Sequence, residues 1–203
     1  GCGASVARVS APPLAPVVAI VLVSLVTSFF IVFWSAAFPR RVLDASTRIP
    51  TIAEVFAIIP DGKKIFVEVK CGKEIIPYLV KEIGKSKLKT EQVVLICFKQ
   101  EVVKAFKQAL PKNKAYWLSS FKQNEEGVWE PSLETVLATL RATKADGLDS
   151  HKDIPGEAAK KIMSEGYEWH AWTVNDTATA KKLQSLGIHS ITTDRPELIK
   201  SSF

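Results

Sequence analysis

Residues 93–120 read VVLICFKQEVVKAFKQALPKNKAYWLSS, and this stretch decides between the fold classes open to the chain. The apolar runs at its two ends, VVLICF and AYWLSS, predict buried strands. Between them, Val102, Val103 and Phe106 fall on one stripe of an amphipathic helix. Parallel strands need a long crossover connection, so the order strand, helix, strand favours parallel pairing.

The same alternation continues in both directions along the chain. Upstream lies the strand-like run IFVEVK (65–70); downstream lie ADGLDS (145–150), EWHAWTV (168–174) and SITTD (190–194). Helical patterns separate these runs at intervals of roughly 20–30 residues. We therefore predict an α/β fold with about six β/α units, which fits either most of a (β/α)8 TIM barrel or an open doubly wound sheet.

Helix-boundary signals support this reading of the second half. Ser132 and Asp176 stand where N-caps of two helices are expected, and Gly187 stands where the second of these helices ends. Pro196 is placed to open a last helix. Asp194, two residues earlier, is expected to cap that helix.

The N-terminal part of the chain has a different residue composition. Residues 17–38 contain no charged side chain, and as a helix they would span about 33 Å, enough for a bilayer core of roughly 30 Å. We predict a transmembrane helix there, within a leader of residues 1–41 that precedes a domain over 42–203. This implies a single-pass membrane location, with the orientation left open. A pair of buried core strands is the alternative.

The composition of the chain limits the classes of function that we expect for it. The chain is 47% apolar and carries a net charge of +6, from 27 basic and 21 acidic residues. The lysines are dispersed and form no basic stripe, so we expect no nucleic-acid binding. The three cysteines form no CxxC pair, so neither a disulfide framework nor a zinc site is predicted.

Two charged residues of the first strand-like run need an explanation. Side chains alternate along a strand, so Phe66, Glu68 and Lys70 share one face. In a barrel, Phe66 would fill a lower layer, while Glu68 and Lys70 would stand near the mouth. Buried charges need partners, which a cation beside Glu68 and a phosphate beside Lys70 would supply. A simple Glu–Lys ion pair on an exposed edge strand is the alternative.

Four stretches, in order, resemble the glycerophosphodiester phosphodiesterase family. They are RIPTIAEVFAIIP (48–60), FVEVKCG (66–72), WTVND (172–176) and ITTDRP (191–196). The resemblance covers residues 42–203. It implies a (β/α)8 barrel that acts in lipid metabolism and hydrolyses glycerophosphodiesters to an alcohol and glycerol 3-phosphate. It also implies a divalent metal, Mg²⁺ or Ca²⁺, if the site is complete.

The resemblance also implies roles for three residues. Glu68 matches the carboxylate of the family's ExK strand and becomes a metal-ligand candidate. Lys70 becomes the catalytic and substrate-binding candidate that holds the phosphate. Trp172 becomes a substrate-binding candidate that packs against the glycerol end, with core packing as its alternative. Phe98 and Trp117 end strands and either wall the pocket or fill the core.

Other parts of the family pattern are missing from the sequence. The family's histidine–arginine pair, its Glu-x-Asp metal pair and its second histidine have no counterpart. The chain's histidines are His151, His170 and His189; we expect His170 to face inward, and His189 and His151 to be solvated. We therefore predict six of eight barrel units in a truncated or mis-joined product that hydrolyses little or nothing alone. The alternative is a non-catalytic, membrane-anchored binding module.

A six-stranded remnant also has a structural consequence. Its two outer parallel strands would lack partners, which invites self-association. The apolar leader would cover part of that gap if it folded against it.

Overall fold

The computed structural model of this protein describes residues 51–201, together with the backbone of Val21–Thr27 and Phe29–Trp34. Six parallel strands follow one another around a common axis. They are β3 (Lys64–Glu68), β4 (Val93–Cys97), β5 (Ala115–Ser119), β8 (Gly147–His151), β9 (Glu168–Trp172) and β10 (Ser190–Thr193). A small antiparallel pair, β6 (Lys122–Gln123) and β7 (Trp129–Glu130), lies in the loop after β5.

Helices follow the strands in the predicted alternation. They are α1 (Ile52–Ala57), α2 (Ile76–Lys85), α3 (Gln100–Ala109), α4 (Leu133–Thr143), α5 (Gly156–Ser164), α6 (Thr177–Ser185) and α7 (Pro196–Lys200). Short 3₁₀ turns at Lys73–Ile75 and Thr90–Gln92 precede α2 and β4.

The six parallel strands curl, which decides between the two predicted architectures. Each strand pairs with the next in sequence order around the arc, from β3 to β10. A doubly wound sheet would instead reverse its strand order at a switch point. The prediction of an incomplete TIM-like barrel of about six β/α units is therefore confirmed, and the flat-sheet alternative is wrong.

The apolar leader contributes strands where we predicted a helix. β1 (Val21–Thr27) and β2 (Phe29–Trp34) form an antiparallel hairpin. β1 pairs antiparallel with β3, and β2 pairs parallel with β10, so the hairpin closes the ring. The segment is rich in valine, isoleucine and phenylalanine, which favour strands, and the two outer parallel strands offer unpaired backbone groups.

The predicted transmembrane helix over 17–38 is thus not supported, and the remainder of that range lies outside the described residues. Within the parts of the chain that the structure covers, no helix combines the length and apolarity needed to cross a bilayer. Membrane location stays a prediction, without the helix on which it depended. Self-association through free barrel edges is likewise not supported, because β3 and β10 both have partners.

Two apolar cores fill the described domain. The larger lies between the strands and the surrounding helices and contains outward-facing strand residues such as Val67, Leu95 and Cys97. The smaller lies inside the ring of strands. Its buried members are Phe66, Val94, Ile96, Tyr116 and Leu118, with Trp172 packed against them. Phe66 fills the lower layer as predicted, so the next inward positions of β3 stand nearer the mouth.

Most helix-boundary predictions are confirmed. Ser132 Oγ accepts from Thr135 N, and Asp176 Oδ1 accepts from Thr179 N, as N-caps do. Gly187 has the positive φ of 91° that a residue after a helix end often needs. The predicted cap by Asp194 is wrong, because α7 begins one residue later than that position allows and has no side-chain cap.

Candidate functional site

A cavity of about 230 Å³ opens at the carboxyl ends of the parallel strands. Inward-facing side chains of the strands, and of the loops that follow them, surround it. The lining residues are Glu68, Lys70, Ile96, Phe98, Leu118, Asp149, Trp172, Thr173, Thr192 and Asp194. In barrels of this kind, the carboxyl-terminal face is where functional residues gather.

The three residues predicted as a site meet in this cavity. Glu68 is the last residue of β3, Lys70 follows it by two, and Trp172 ends β9 on the other side of the ring. Lys70 Nζ lies 3.2 Å from Glu68 Oε1, so the two residues form the ion pair that was the alternative to separate metal and phosphate partners. The pair is not at an open edge, since only 13% of the Glu68 side chain is exposed, against 61% for Lys70.

Aromatic rings form one wall of the mouth. The ring of Trp172 packs edge-on against the rings of Phe98 and His151. The centroids of the rings lie 5.7 Å apart for Phe98 and 5.2 Å apart for His151. The Trp172 Nε1–H donates to the backbone oxygen of Asp149 at 3.2 Å, which holds the indole in place. Phe98 is about half exposed, so it lines the entrance. Trp117 instead packs in the outer core and donates to Phe98 O.

Asp149 is the site residue that sequence reasoning missed. It lies on β8, it is only 2% exposed, and its Oδ1 has no hydrogen-bond partner. Burial, followed by the nearby negative charge of Glu68, raises the pKa of Asp149 to about 8. The alternation in ADGLDS could have found it, because Asp149 shares a strand face with His151 near the carboxyl end.

The loop after β9 is tied to the end of β10 by one side chain. Asn175 Nδ2 donates to Asp194 Oδ2 at 2.8 Å, and its Oδ1 accepts from Asp194 N at 2.9 Å and from Thr193 Oγ1 at 3.2 Å. This explains the WTVND and TTDRP segments as one structural unit. It also means that Asp194 lines the cavity while accepting a hydrogen bond from Asn175.

The histidines do not supply the missing acid and base. His170 faces inward as predicted, but it lies on the barrel floor, where its Nδ1 is 2.6 Å from Ser190 Oγ. His189 is exposed, also as predicted. His151 is 33% exposed and its Nδ1 lies 3.0 Å from Asp153 Oδ2. None of the three lines the cavity in the described part of the chain, although His151 touches Trp172.

Below the cavity, a polar network closes the floor of the barrel. Tyr116 Oη donates to Glu168 Oε2 at 2.5 Å, and Lys114 Nζ lies 2.9 Å from Glu168 Oε1. Partial burial acts to raise the pKa of Glu168. Contacts from His170, Tyr116 and Lys114 outweigh this effect and hold that pKa below its ordinary value. Burial lowers the pKa of His170, so its ring is neutral and its 3.6 Å contact with Glu168 is not an ion pair.

The residues present fit a divalent cation only in part. The described residues contain no group of three or more side chains suited to holding a metal. Three carboxyl groups, those of Glu68, Asp149 and Asp194, line the same cavity. Asp194 accepts a hydrogen bond from Asn175, whereas one oxygen of Asp149 has no partner. Hard cations such as Mg²⁺ use one or two protein carboxylates and complete their shell with water or substrate oxygens.

Comparison with known families gives one match over most of the chain. The model of the glycerophosphoryl diester phosphodiesterase family matches residues 35–198. No curated protein matches the sequence.

Solved structures share the fold at low sequence identity. A glycerophosphodiester phosphodiesterase from Thermotoga maritima has a TM-score of 0.60 and 21% identity, with 76% of this chain and 64% of that chain covered. One from Parabacteroides distasonis has a TM-score of 0.54 and 21% identity, covering 67% and 54%. A phosphodiesterase from Oleispira antarctica, in complex with the product sn-glycerol-3-phosphate, has a TM-score of 0.54 and 20% identity, covering 64% and 49%. This chain thus spans about half to two thirds of the length of these relatives.

Proposed function

This chain belongs to the glycerophosphoryl diester phosphodiesterase family, and from that premise we propose that its cavity binds the glycerol phosphate half of a glycerophosphodiester. One observation carries the proposal. A single cavity at the carboxyl ends of the strands is lined by Glu68 and Lys70 on one side of the ring and by Trp172 on the other.

Each of the three side chains has a chemical task in this proposal. The Lys70 ammonium neutralises charge on the non-bridging phosphate oxygens. The Trp172 ring, held by its hydrogen bond to Asp149 O, packs against the carbon chain of glycerol. Glu68 would hold the divalent metal on which the family generally depends. When bound, such a metal polarises the phosphoryl group.

The exposure of Lys70 suits this task. Its side chain is 61% exposed, although its Nζ lies 3.2 Å from Glu68 Oε1. Exposed ion pairs contribute little stability, so exchanging this contact for one with a phosphate costs little. Glu68, which is largely buried, lines the same cavity.

Hydrolysis is a separate question from binding. General acid–base catalysis needs a group within hydrogen-bond reach of the reacting oxygens, and no histidine of the chain lines the cavity. We therefore propose that this chain alone is inactive or turns over substrate only slowly.

Calorimetric titration with sn-glycerol 3-phosphate tests the binding proposal. We expect Lys70→Ala to weaken binding about tenfold or more, since charge-assisted hydrogen bonds are worth about 1.5–3 kcal/mol. The matched control is Lys81→Ala, an exposed lysine on the outer surface of α2, which should bind as the wild type does. Equal affinity of wild type and Lys70→Ala would contradict the proposal.

A release assay tests the expected lack of turnover. Glycerophosphocholine is incubated with the chain and Mg²⁺ or Ca²⁺, and glycerol 3-phosphate is quantified. Rapid release that Glu68→Ala abolishes would show that the chain is a complete enzyme.

A second candidate function is a non-catalytic binding domain in which Glu68 and Lys70 form an ion pair with each other. The 3.2 Å contact between them is the observation in its favour. A thermal melt with added Mg²⁺ or Ca²⁺ separates the two candidates. A melting temperature that does not respond to either metal, in a folded protein, favours the non-catalytic domain.

A further inference from the structure

The starting observation is the unsatisfied carboxylate of Asp149. Its Oδ1 is buried and has no hydrogen-bond partner, and a buried group left unsatisfied in this way destabilises the folded state, more so when it is charged. Native proteins keep few of them, and each calls for an explanation such as an ion or a ligand.

The neighbouring strands offer Asp149 no donor. The two strands between β3 and β8 present Ile96 and Leu118 to the cavity, and neither side chain has a polar hydrogen. Trp172 donates to the backbone oxygen of Asp149 and not to its side chain. Lysine and threonine side chains also line the cavity, but no described residue donates to Asp149 Oδ1. A ligand bound in the cavity would supply the missing partner.

The charges in the cavity indicate what that ligand is. Three carboxyl groups line the cavity, and one of them, Asp194, already accepts a hydrogen bond from Asn175. The Lys70 ammonium sits on the solvent side, 61% exposed, beside Glu68. Two carboxylates in a poorly solvated site repel each other, and either a proton on one of them or a cation bound to both relieves that repulsion.

We propose that Asp149 is a metal-binding residue of this chain, which, together with Glu68, holds one divalent cation of the Mg²⁺ or Ca²⁺ class in the cavity. The inference rests on the proposed function, because it places the metal at the phosphate-binding mouth. The resemblance implied only one metal ligand, Glu68 on β3. The inference adds a second, Asp149 on β8. The remaining coordination positions are then open to water or to substrate oxygens, as is usual for Mg²⁺.

The test is calorimetric titration of the full chain with MgCl₂ and with CaCl₂, in parallel with sn-glycerol 3-phosphate. We expect Asp149→Asn and Glu68→Gln each to weaken cation binding at least tenfold, because even indirect partners of a metal typically contribute 10–100-fold. If both residues bind one ion, the double variant should lose little more than either single variant, since shared ligands are not additive.

The matched control is Asp153→Asn, which removes a carboxylate that is 62% exposed four residues beyond Asp149 and should leave cation affinity unchanged. Asp149→Ser is a second variant in case the asparagine amide disturbs packing, and a melt in EDTA shows whether each variant is folded. The inference is confirmed if folded Asp149 variants lose cation binding while Asp153→Asn keeps it.

Two results would overturn the inference, and they are distinguishable from failure of the proposed function. Wild type that binds sn-glycerol 3-phosphate but no cation, or Asp149 variants with wild-type cation affinity, would leave the proposed function standing and remove Asp149 from it. Wild type that binds neither ligand would remove both.

Discussion

At the scale of single residues, the carboxyl groups on the floor and at the mouth of the barrel differ in their partners. On the floor, Glu168 receives a hydrogen bond from Tyr116 and forms an ion pair with Lys114, although the neighbouring His170 Nε2 has no hydrogen-bond partner. At the mouth, Asp149 Oδ1 is buried and has no partner. Satisfied buried polar groups hold a fold together, whereas an unsatisfied one near a cavity marks a place for a ligand.

The floor network predicts an acid-sensitive fold. The folded-state pKa of Glu168 lies below its ordinary value of 4.5, so the stability that it contributes is present above that pH and is lost as the pH falls through the folded pKa. His170, whose pKa burial lowers from 6.5, acts in the same direction, because unfolding lets it take up a proton.

Urea unfolding between pH 7 and pH 3 measures this effect. We expect Glu168→Gln to lower the free energy of unfolding at pH 7 by about 1–3 kcal/mol and to make its fall with acid shallower. The exposed Glu125→Gln should leave both quantities at their wild-type values. A Glu168→Gln variant with the full acid dependence would show that other groups control it.

At the scale of elements, β8 and β9 approach each other closely at Gly147. A Cβ added at Gly147 would lie 2.0 Å from Glu168 O, which is a backbone atom and cannot turn aside. Gly147 thus lets two strands approach at the floor, directly beneath the inward positions of Asp149 and His151. The local sequence favours a strand here, but only the packing of the neighbour requires glycine.

Gly147→Ala is therefore expected to destabilise the domain by about 1–3 kcal/mol or more, as overpacked core positions do. The matched control is Gly84→Ala in α2, where an added Cβ meets no atom within 4 Å. That change should stabilise by roughly 0.5–1 kcal/mol, because alanine suits a helix interior better than glycine. Thermal melting of the two variants gives the comparison, and equal shifts would contradict the close-approach argument.

Local signals predicted these elements well where local interactions decide them. The six β/α units and the caps at Ser132 and Asp176 follow from periodicity and from side-chain chemistry within three residues. The prediction for Asp194 failed because its side chain binds Asn175, which lies 19 positions earlier in the chain. Such a long-range competitor leaves no trace in the residues around the helix start.

At the scale of the whole molecule, the leader hairpin closes the ring of strands. β1 lies between β2 and β3, and β2 lies beside β10, so every strand of the ring has two neighbours. Closing a ring removes the free edges that a six-stranded arc would expose. This gives the apolar leader a structural role within the domain.

A disulfide between β1 and β3 tests this closure. Ser24 and Lys64 are opposite each other in the antiparallel register, where Cα atoms lie about 4.5–5.5 Å apart, within the range that a disulfide bridges. We expect Ser24→Cys with Lys64→Cys to form that bond on mild oxidation, as detected by peptide mass spectrometry. Thr27→Cys with Lys64→Cys, offset by three residues and about 10 Å, is the control and should not. Equal yields in both pairs would contradict the register.

The sequence by itself determined the alternation of strands and helices, the family resemblance and the inward face of β3, because these depend on periodicity and on short motifs. Only the tertiary structure decided that the strands curl, that part of the uncharged run 17–38 pairs as a hairpin, and that Asp149 and Glu68 line one cavity. Apolar composition suits a helix in lipid and a strand in a sheet alike, so the partner makes the choice. In the same way, burial depends on what surrounds a residue, and for Asp149 those surroundings come from strands that are far apart in the chain.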